Sequence, residues 1–300
     1  MDATFSYMAI VSDRPRVLAD FYAKHFDMWE LGHSDDGDVS ITDGHVNVSI
    51  LKQRPGVEGA MGRPGLSHFG LAVQDIREVE GNLEEFGYDA EITAEAGDLH
   101  HGEYRVVGPS GLPISLSTRN FSVTEKPRSY PRIRHMALSF PKVSDDELDF
   151  LVNVFGIREV TLSKARRQQG RSSRFAGDGH INLALLAHGR EFHAGMKPLE
   201  YKSEQARALD GKVGLNHFGF LVRDKAATME SLPAELRDVQ HRSSTNVDMA
   251  EFRVYDPDFN AIDLAERGFE VDIDRWETAD GVISTAERFA ATPERAPKPA

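Results

Sequence analysis

The chain has 300 residues, 40% of them hydrophobic, enough for two domains of ordinary size with packed cores. Lys and Arg total 35 against 48 Asp and Glu, a net charge of −13, and such an acidic surface repels phosphate backbones, which excludes nucleic acid as a partner. There is no cysteine, so no disulfide, no thiolate ligand and no thiol nucleophile; no apolar run is long enough to span a bilayer; and the first residues, MDATFSYMAIVSDRP, lack the basic start of a signal peptide. A cytoplasmic protein is expected.

In chain order, Tyr7-Met-Ala-Ile-Val-Ser opens with alternating apolar residues of a strand, and Arg16–Phe26 follows with apolar residues at helical spacing. Strands with Asp-Gly turns come next, including Asp43-Gly-His-Val-Asn-Val-Ser-Ile-Leu51. The cycle restarts at His68-Phe-Gly-Leu-Ala-Val, with a helix over Ile76–Phe86 and a hairpin turning at Gly-Pro-Ser-Gly. A third cycle starts at His135-Met-Ala-Leu-Ser-Phe, with a helix over Asp145–Val154 whose first acids suit a helix N-terminus. The basic cluster Lys164, Arg166, Arg167, Arg171 and Arg174 reads as a solvated loop. The fourth cycle starts at His217-Phe-Gly-Phe-Leu-Val and closes at Tyr255-Asp-Pro-Asp-Phe-Asn-Ala-Ile-Asp-Leu264. Residues 271–290 carry a weak helical signal, and the Pro/Ala-rich end reads as disordered.

These cycles are internal repeats. Gly65-Leu-Ser-His-Phe-Gly-Leu-Ala-Val-Gln-Asp75 matches Gly214-Leu-Asn-His-Phe-Gly-Phe-Leu-Val-Arg-Asp224 at 7 of 11 positions. Glu103–Leu116 matches Glu251–Leu264, and Asp43–Leu51 matches Asp178–Leu186. The expected fold class is α+β: four βαβββ modules paired into two domains, each an open, incomplete β-barrel with helices outside. The domains would cover 1–122 and 130–268, joined by a linker at 121–130, with 271–300 as a partly disordered tail.

A βαβββ module used four times, with histidines opening strands at His135 and His217 and a D-P-x-G-N-like turn before Asp263, resembles the vicinal oxygen chelate superfamily. The two-domain form with its site in the second half is similar to type I extradiol dioxygenases. The resemblance covers residues 1 to about 268 and implies metal ligands at His135, His217 and Asp263, the last standing where the family usually has Glu. Two neutral imidazoles and a carboxylate leave positions open for substrate and O2 on iron(II). Mn(II) or another divalent metal is the alternative. The repeats place Tyr7, His68, His135 and His217 at one position and Asn47, Ser115, Asn182 and Asp263 at the other. Only the second half therefore carries a carboxylate, and the first reads as a scaffold in which His68 is a satisfied buried histidine.

Further candidates are less sharply marked. Arg253 shares a strand face with Glu251 and Tyr255, a face that should look into the pocket. Arg253 stands where the family often has a Tyr that binds substrate, and it either clamps an anionic oxygen or pairs structurally, as Arg105 would with Glu103. Asn182, Glu251 and Tyr255 are candidate substrate contacts. The resemblance suggests an acid–base role for His193 and polar support from His241 and Asn246. His45 and His180 follow Asp-Gly in the repeated turn, which explains them without catalysis. The implied activity is ring cleavage of a catechol-like substrate with O2. The alternatives are an O2-independent lyase, hydrolase or isomerase acting on an anionic oxygenated molecule, and a non-catalytic binding protein. A homo-oligomer is expected.

Overall fold

In the computed structural model, residues 3–56, 64–95, 101–124, 130–140, 145–159, 174–187, 213–238 and 252–266 are described, with the backbone of strands at 275–278 and 281–284. The first half runs β1 (Thr4–Ser12), α1 (Pro15–Phe26), β2 (Trp29–His33), β3 (Val39–Thr42), β4 (Asn47–Lys52), β5 (Gly65–Ala72), α2 (Ile76–Glu85), β6 (Thr93–Ala94), β7 (Tyr104–Val107) and β8 (Pro113–Ser117). The second repeats it: β9 (Arg132–Phe140), α3 (Asp145–Phe155), β10 (Arg158–Glu159), β11 (Arg174–Gly177), β12 (Asn182–Ala187), β13 (Gly214–Leu221), α4 (Lys225–Ser231), β14 (Arg237–Asp238), β15 (Phe252–Tyr255) and β16 (Ala261–Ala265). Each half forms one open eight-stranded sheet, ordered β2-β3-β4-β1-β5-β8-β7-β6 and β10-β11-β12-β9-β13-β16-β15-β14. Two modules thus meet along β1–β5 in one sheet and β9–β13 in the other, both antiparallel.

Local chemistry explains the module. The opening strands are buried along almost their whole length, as central strands covered on both faces must be. The repeated Asp75 and Asp224 follow β5 and β13 and cap the next helices, accepting from Arg77 N at 2.9 Å and Ala227 N at 2.8 Å. Pro15 opens α1, and Asp145, Asp146 and Glu147 fill the first turn of α3. The helix expected within 271–290 is not what forms there: Arg275–Thr278 and Gly281–Ser284 pair as a separate two-stranded ribbon. Of the basic cluster, Arg174 is the one described member, and it pairs with Asp145 at 2.7 Å.

The halves pack through contacts that exchange in pairs, as a two-fold axis would relate them. Phe5 N donates to Asp178 at 2.7 Å, and Ile133 N donates to Asp43 at 2.6 Å. The same aspartates close their own turns by accepting from His45 and Val46, and from His180 and Ile181. Helix α1 serves the second half: Phe26 stacks on Phe220 at 4.2 Å, and Tyr22 Oη donates to Asp256 at 2.7 Å. Helix α3 serves the first: Phe150 meets Tyr88 edge-on at 5.0 Å, and Glu147 accepts from Ser110 N at 2.9 Å. One hydrophobic core runs through both halves. The hairpin that leads into Asp263 is therefore held from the other half, since Ser12 and Arg14 also bind Asp258.

Candidate metal centre

Strand register brings the site together. Asn182 on β12 lies beside His135 on β9. His135 lies opposite Gly219 on β13, and Gly219 lies beside Asp263 on β16. His217 is two residues before Gly219 and so shares its face. Gly219, with no side chain, leaves the space over the middle of the ladder to its neighbours.

The ligand atoms of His135, His217 and Asp263 all lie within 4.8 Å of one another, and all three residues are buried. His135 Nε2 is 3.3 Å from His217 Nε2, and His217 Nε2 is 3.3 Å from Asp263 Oδ2. Outward from the centre, His135 Nδ1 meets Asn182 Oδ1 at 2.8 Å and His217 Nδ1 meets Asn216 Oδ1 at 2.7 Å. An amide oxygen only accepts, so both Nδ1 atoms carry the proton and both Nε2 lone pairs face inward. Burial pushes His135 down to about 4 and His217 down to about 3, against a partial counter-pull from Asp263, so both are neutral at pH 7. Two lone pairs and a carboxylate oxygen then face one another with no proton between them. That set is repulsive by itself and is satisfied by a cation, so the residues fit a divalent metal.

Arg253 lies beside Asp263 in register, and its Nε donates to Asp263 Oδ1 at 2.8 Å. The guanidinium thus fixes the carboxylate and leaves Oδ2 turned to His217. Along the same face, Ala137 and Ala184 lie two residues beyond His135 and Asn182 and pack with Phe175 as a small apolar patch.

The equivalent place in the first half is closed. Tyr7, Asn47, Gly70 and Ser115 occupy the ladder positions of His135, Asn182, Gly219 and Asp263. Phe121 fills it: its ring stacks on Tyr7 at 4.6 Å, its carbonyl accepts from Asn47 at 2.9 Å, and its Cζ lies 2.6 Å from where a Cβ on Gly70 would be. His68 is buried there, with Nδ1 2.9 Å from Ser67 Oγ and its ring 5.7 Å from Tyr7. The expected pairing of Arg105 with Glu103 does not occur. Arg105 pairs with Glu95 at 2.6 Å, because β6 lies beside β7 and the acid that follows β6 is within reach, while Glu103 pairs with Arg119.

His193, His241, Asn246 and Glu251 lie outside the described residues. Tyr255 is buried in the main core, 6.4 Å from the Phe259 ring. Two residues escaped sequence reasoning. Asn216 precedes His217 just as Ser67 precedes His68, and the shared polar acceptor was the available signal. Phe121 fell in the stretch read as linker.

No family model matches the chain, and no curated protein is similar to it in sequence. Solved structures are similar in fold. The 2,3-dioxygenase LapB from Pseudomonas sp. KL28 is 17% identical over 87% of this chain and 90% of that one, with TM-score 0.58. The Mn(II)-bound glyoxalase from Novosphingobium aromaticivorans is 15% identical over 90% of this chain and 84% of that one, with TM-score 0.58. The chain also spans 38% of the length of a xylose isomerase-like TIM barrel/4-hydroxyphenylpyruvate dioxygenase fusion protein, at 16% identity over 76% of this chain and TM-score 0.49. What the chain shares with a dioxygenase and a glyoxalase, over most of their lengths, is a fold, mixed α and β with its strands in two open eight-stranded sheets.

Proposed function

We propose that the chain is a metal-dependent dioxygenase of the extradiol type, acting on a catechol-like substrate, with iron(II) as its metal. The observation that carries the reading is the inward-facing set of His135 Nε2, His217 Nε2 and Asp263 Oδ2, with both imidazole tautomers held from behind. Bound there, a redox-active divalent cation would keep positions open for two vicinal oxygens and O2.

The chain's own residues then divide the work. Asn182 and Asn216 hold the imidazoles oriented, and burial keeps them neutral. Arg253 holds Asp263 and balances its charge, so the protein ligand set is neutral as a whole. A divalent cation would leave that set at +2, which favours a substrate that arrives as, or becomes, an anion. Ala137, Ala184 and Phe175 offer an apolar surface for a ring. His193 is assigned the movement of a proton to or from substrate. His241, Asn246, Glu251 and Tyr255 are assigned polar contacts around it. A protein of the cytoplasm acting as a homo-oligomer completes the proposal; among the described residues no helix is long and apolar enough to cross a membrane.

One observation favours a second reading. Asp263 stands where the family has Glu, and its Oδ1 is occupied by Arg253. A centre with that carboxylate and a neighbouring guanidinium also suits an O2-independent lyase, hydrolase or isomerase of an anionic oxygenated molecule, using Mn(II) or another divalent ion as a Lewis acid. Assays of the iron- and manganese-loaded protein against a catechol panel, with and without O2, separate the two. The dioxygenase reading expects one O2 consumed per catechol lost, and no turnover under nitrogen. Catechols left intact in air would contradict it.

A further inference from the structure

A cavity of about 50 Å³ lies between the halves where their exchanged contacts cross, and none of the metal-binding residues lines it. Thr4 and Ser6 of β1 form one wall, and Arg132 and Arg134, at the matching places of β9, form the other. His45 and His180 lie at its edge with their rings 5.6 Å apart. The space exceeds what a single water needs.

The charge in this place is not balanced by hydrogen bonds. Arg132 is 2% exposed, yet its Nε and Nη2 have no hydrogen-bond partner among the described residues. The nearby acids are already committed to the backbone. Asp43 accepts from His45 N, Val46 N and Ile133 N, and Asp178 accepts from His180 N, Ile181 N and Phe5 N. Asp43 acts on the guanidinium through space but does not fill its Nε and Nη2 donors. A buried cation with open N–H groups is destabilising until an acceptor reaches it. Across the cavity, Thr4 Oγ1 and Ser6 Oγ lie 3.1 Å apart, hydroxyls that can turn to donate.

We propose that this cavity is a binding site for a small oxyanion, a carboxylate or phosphate group, held by the Arg132 guanidinium from one half and the Thr4 and Ser6 hydroxyls from the other. A planar fork of N–H donors matches two oxygens of such a group. Because the anion would touch both halves, binding stabilises their packing by mass action. The site is separate in residues and in chemistry from the metal centre.

Isothermal titration of the full-length protein with inorganic phosphate, and separately with acetate, at constant ionic strength tests the proposal. Wild type and His217→Ala should bind one anion per chain saturably. Arg132→Gln should bind at least about tenfold more weakly, as loss of a charge-assisted hydrogen bond implies. Preference for phosphate or for acetate identifies which oxyanion the site takes. If Arg132→Gln does not fold, Thr4→Val with Ser6→Ala weakens the opposite wall and should lower the affinity severalfold. No saturable binding of either anion to wild type, equal binding to Arg132→Gln or, if that variant does not fold, to the double variant, or loss of binding in His217→Ala would overturn the proposal.

Discussion

The ladder positions that hold Asn182, His135, Gly219 and Asp263 in one sheet hold Asn47, Tyr7, Gly70 and Ser115 in the other. The backbone frame is the same, and the chemistry is opposite. In the second half, inward lone pairs and a carboxylate converge on a point with no proton to share. In the first half, Tyr7 and Phe121 fill that point with stacked rings, and burial raises the Tyr7 hydroxyl so that it stays neutral. The difference teaches that the fold supplies a place, and that three or four side chains decide whether it becomes a centre or a core. The first half keeps a role nonetheless. Through Ser12, Arg14 and Tyr22 it holds the hairpin that carries Asp263.

The comparison can be broken or sharpened by substitution. The largest change in stability is expected from Phe121→Ala, which empties the closed place. It should lower unfolding free energy by about 3–5 kcal/mol, read by chemical denaturation, and leave metal content unchanged. Arg253→Gln should weaken metal affinity by about 10–100-fold in a competition titration, because the support behind Asp263 is lost. Arg105→Gln, the matching change in the first half, should leave that affinity alone. Tyr22→Phe should lower stability by about 1–2 kcal/mol, since Asp256 still accepts from Asn260 at 2.8 Å.

A smaller effect follows from pH. Burial holds His135 at about 4 and His217 at about 3, below the unfolded value of about 6.5. Both are depressed, so the stability they contribute is present above pH 6.5 and is lost as pH falls from there toward 4 for His135 and toward 3 for His217. Metal should accordingly stay bound at pH 5.5 in equilibrium dialysis. Release with a midpoint near 6.5 would mean ordinary, solvated imidazoles.

Much of this was legible in the chain. The repeat around Gly65 and Gly214 places two strands and two capped helices, because Asp75 and Asp224 recur with it. The match of Glu103–Leu116 with Glu251–Leu264 places Ser115 and Asp263 in one register and so separates the empty half from the chemical one. What could not be read depends on three-dimensional neighbours. Phe121 enters the closed place with backbone φ of 49° in a stretch whose composition reads as a linker. The pairing of Arg105 with Glu95 depends on which strand lies beside β7. The reciprocal use of Asp43 and Asp178 depends on how the halves face each other, which no local pattern encodes.

Metal content is the most direct test of the central claim, that one half holds a divalent cation and the other does not. Elemental analysis of protein purified without chelators should be run on wild type, Asp263→Ala and His68→Ala. The account predicts about one divalent metal per chain in wild type and in His68→Ala, and none in Asp263→Ala. Folded wild type that holds no metal even after reconstitution, or a metal that leaves with His68 and stays without Asp263, would contradict it.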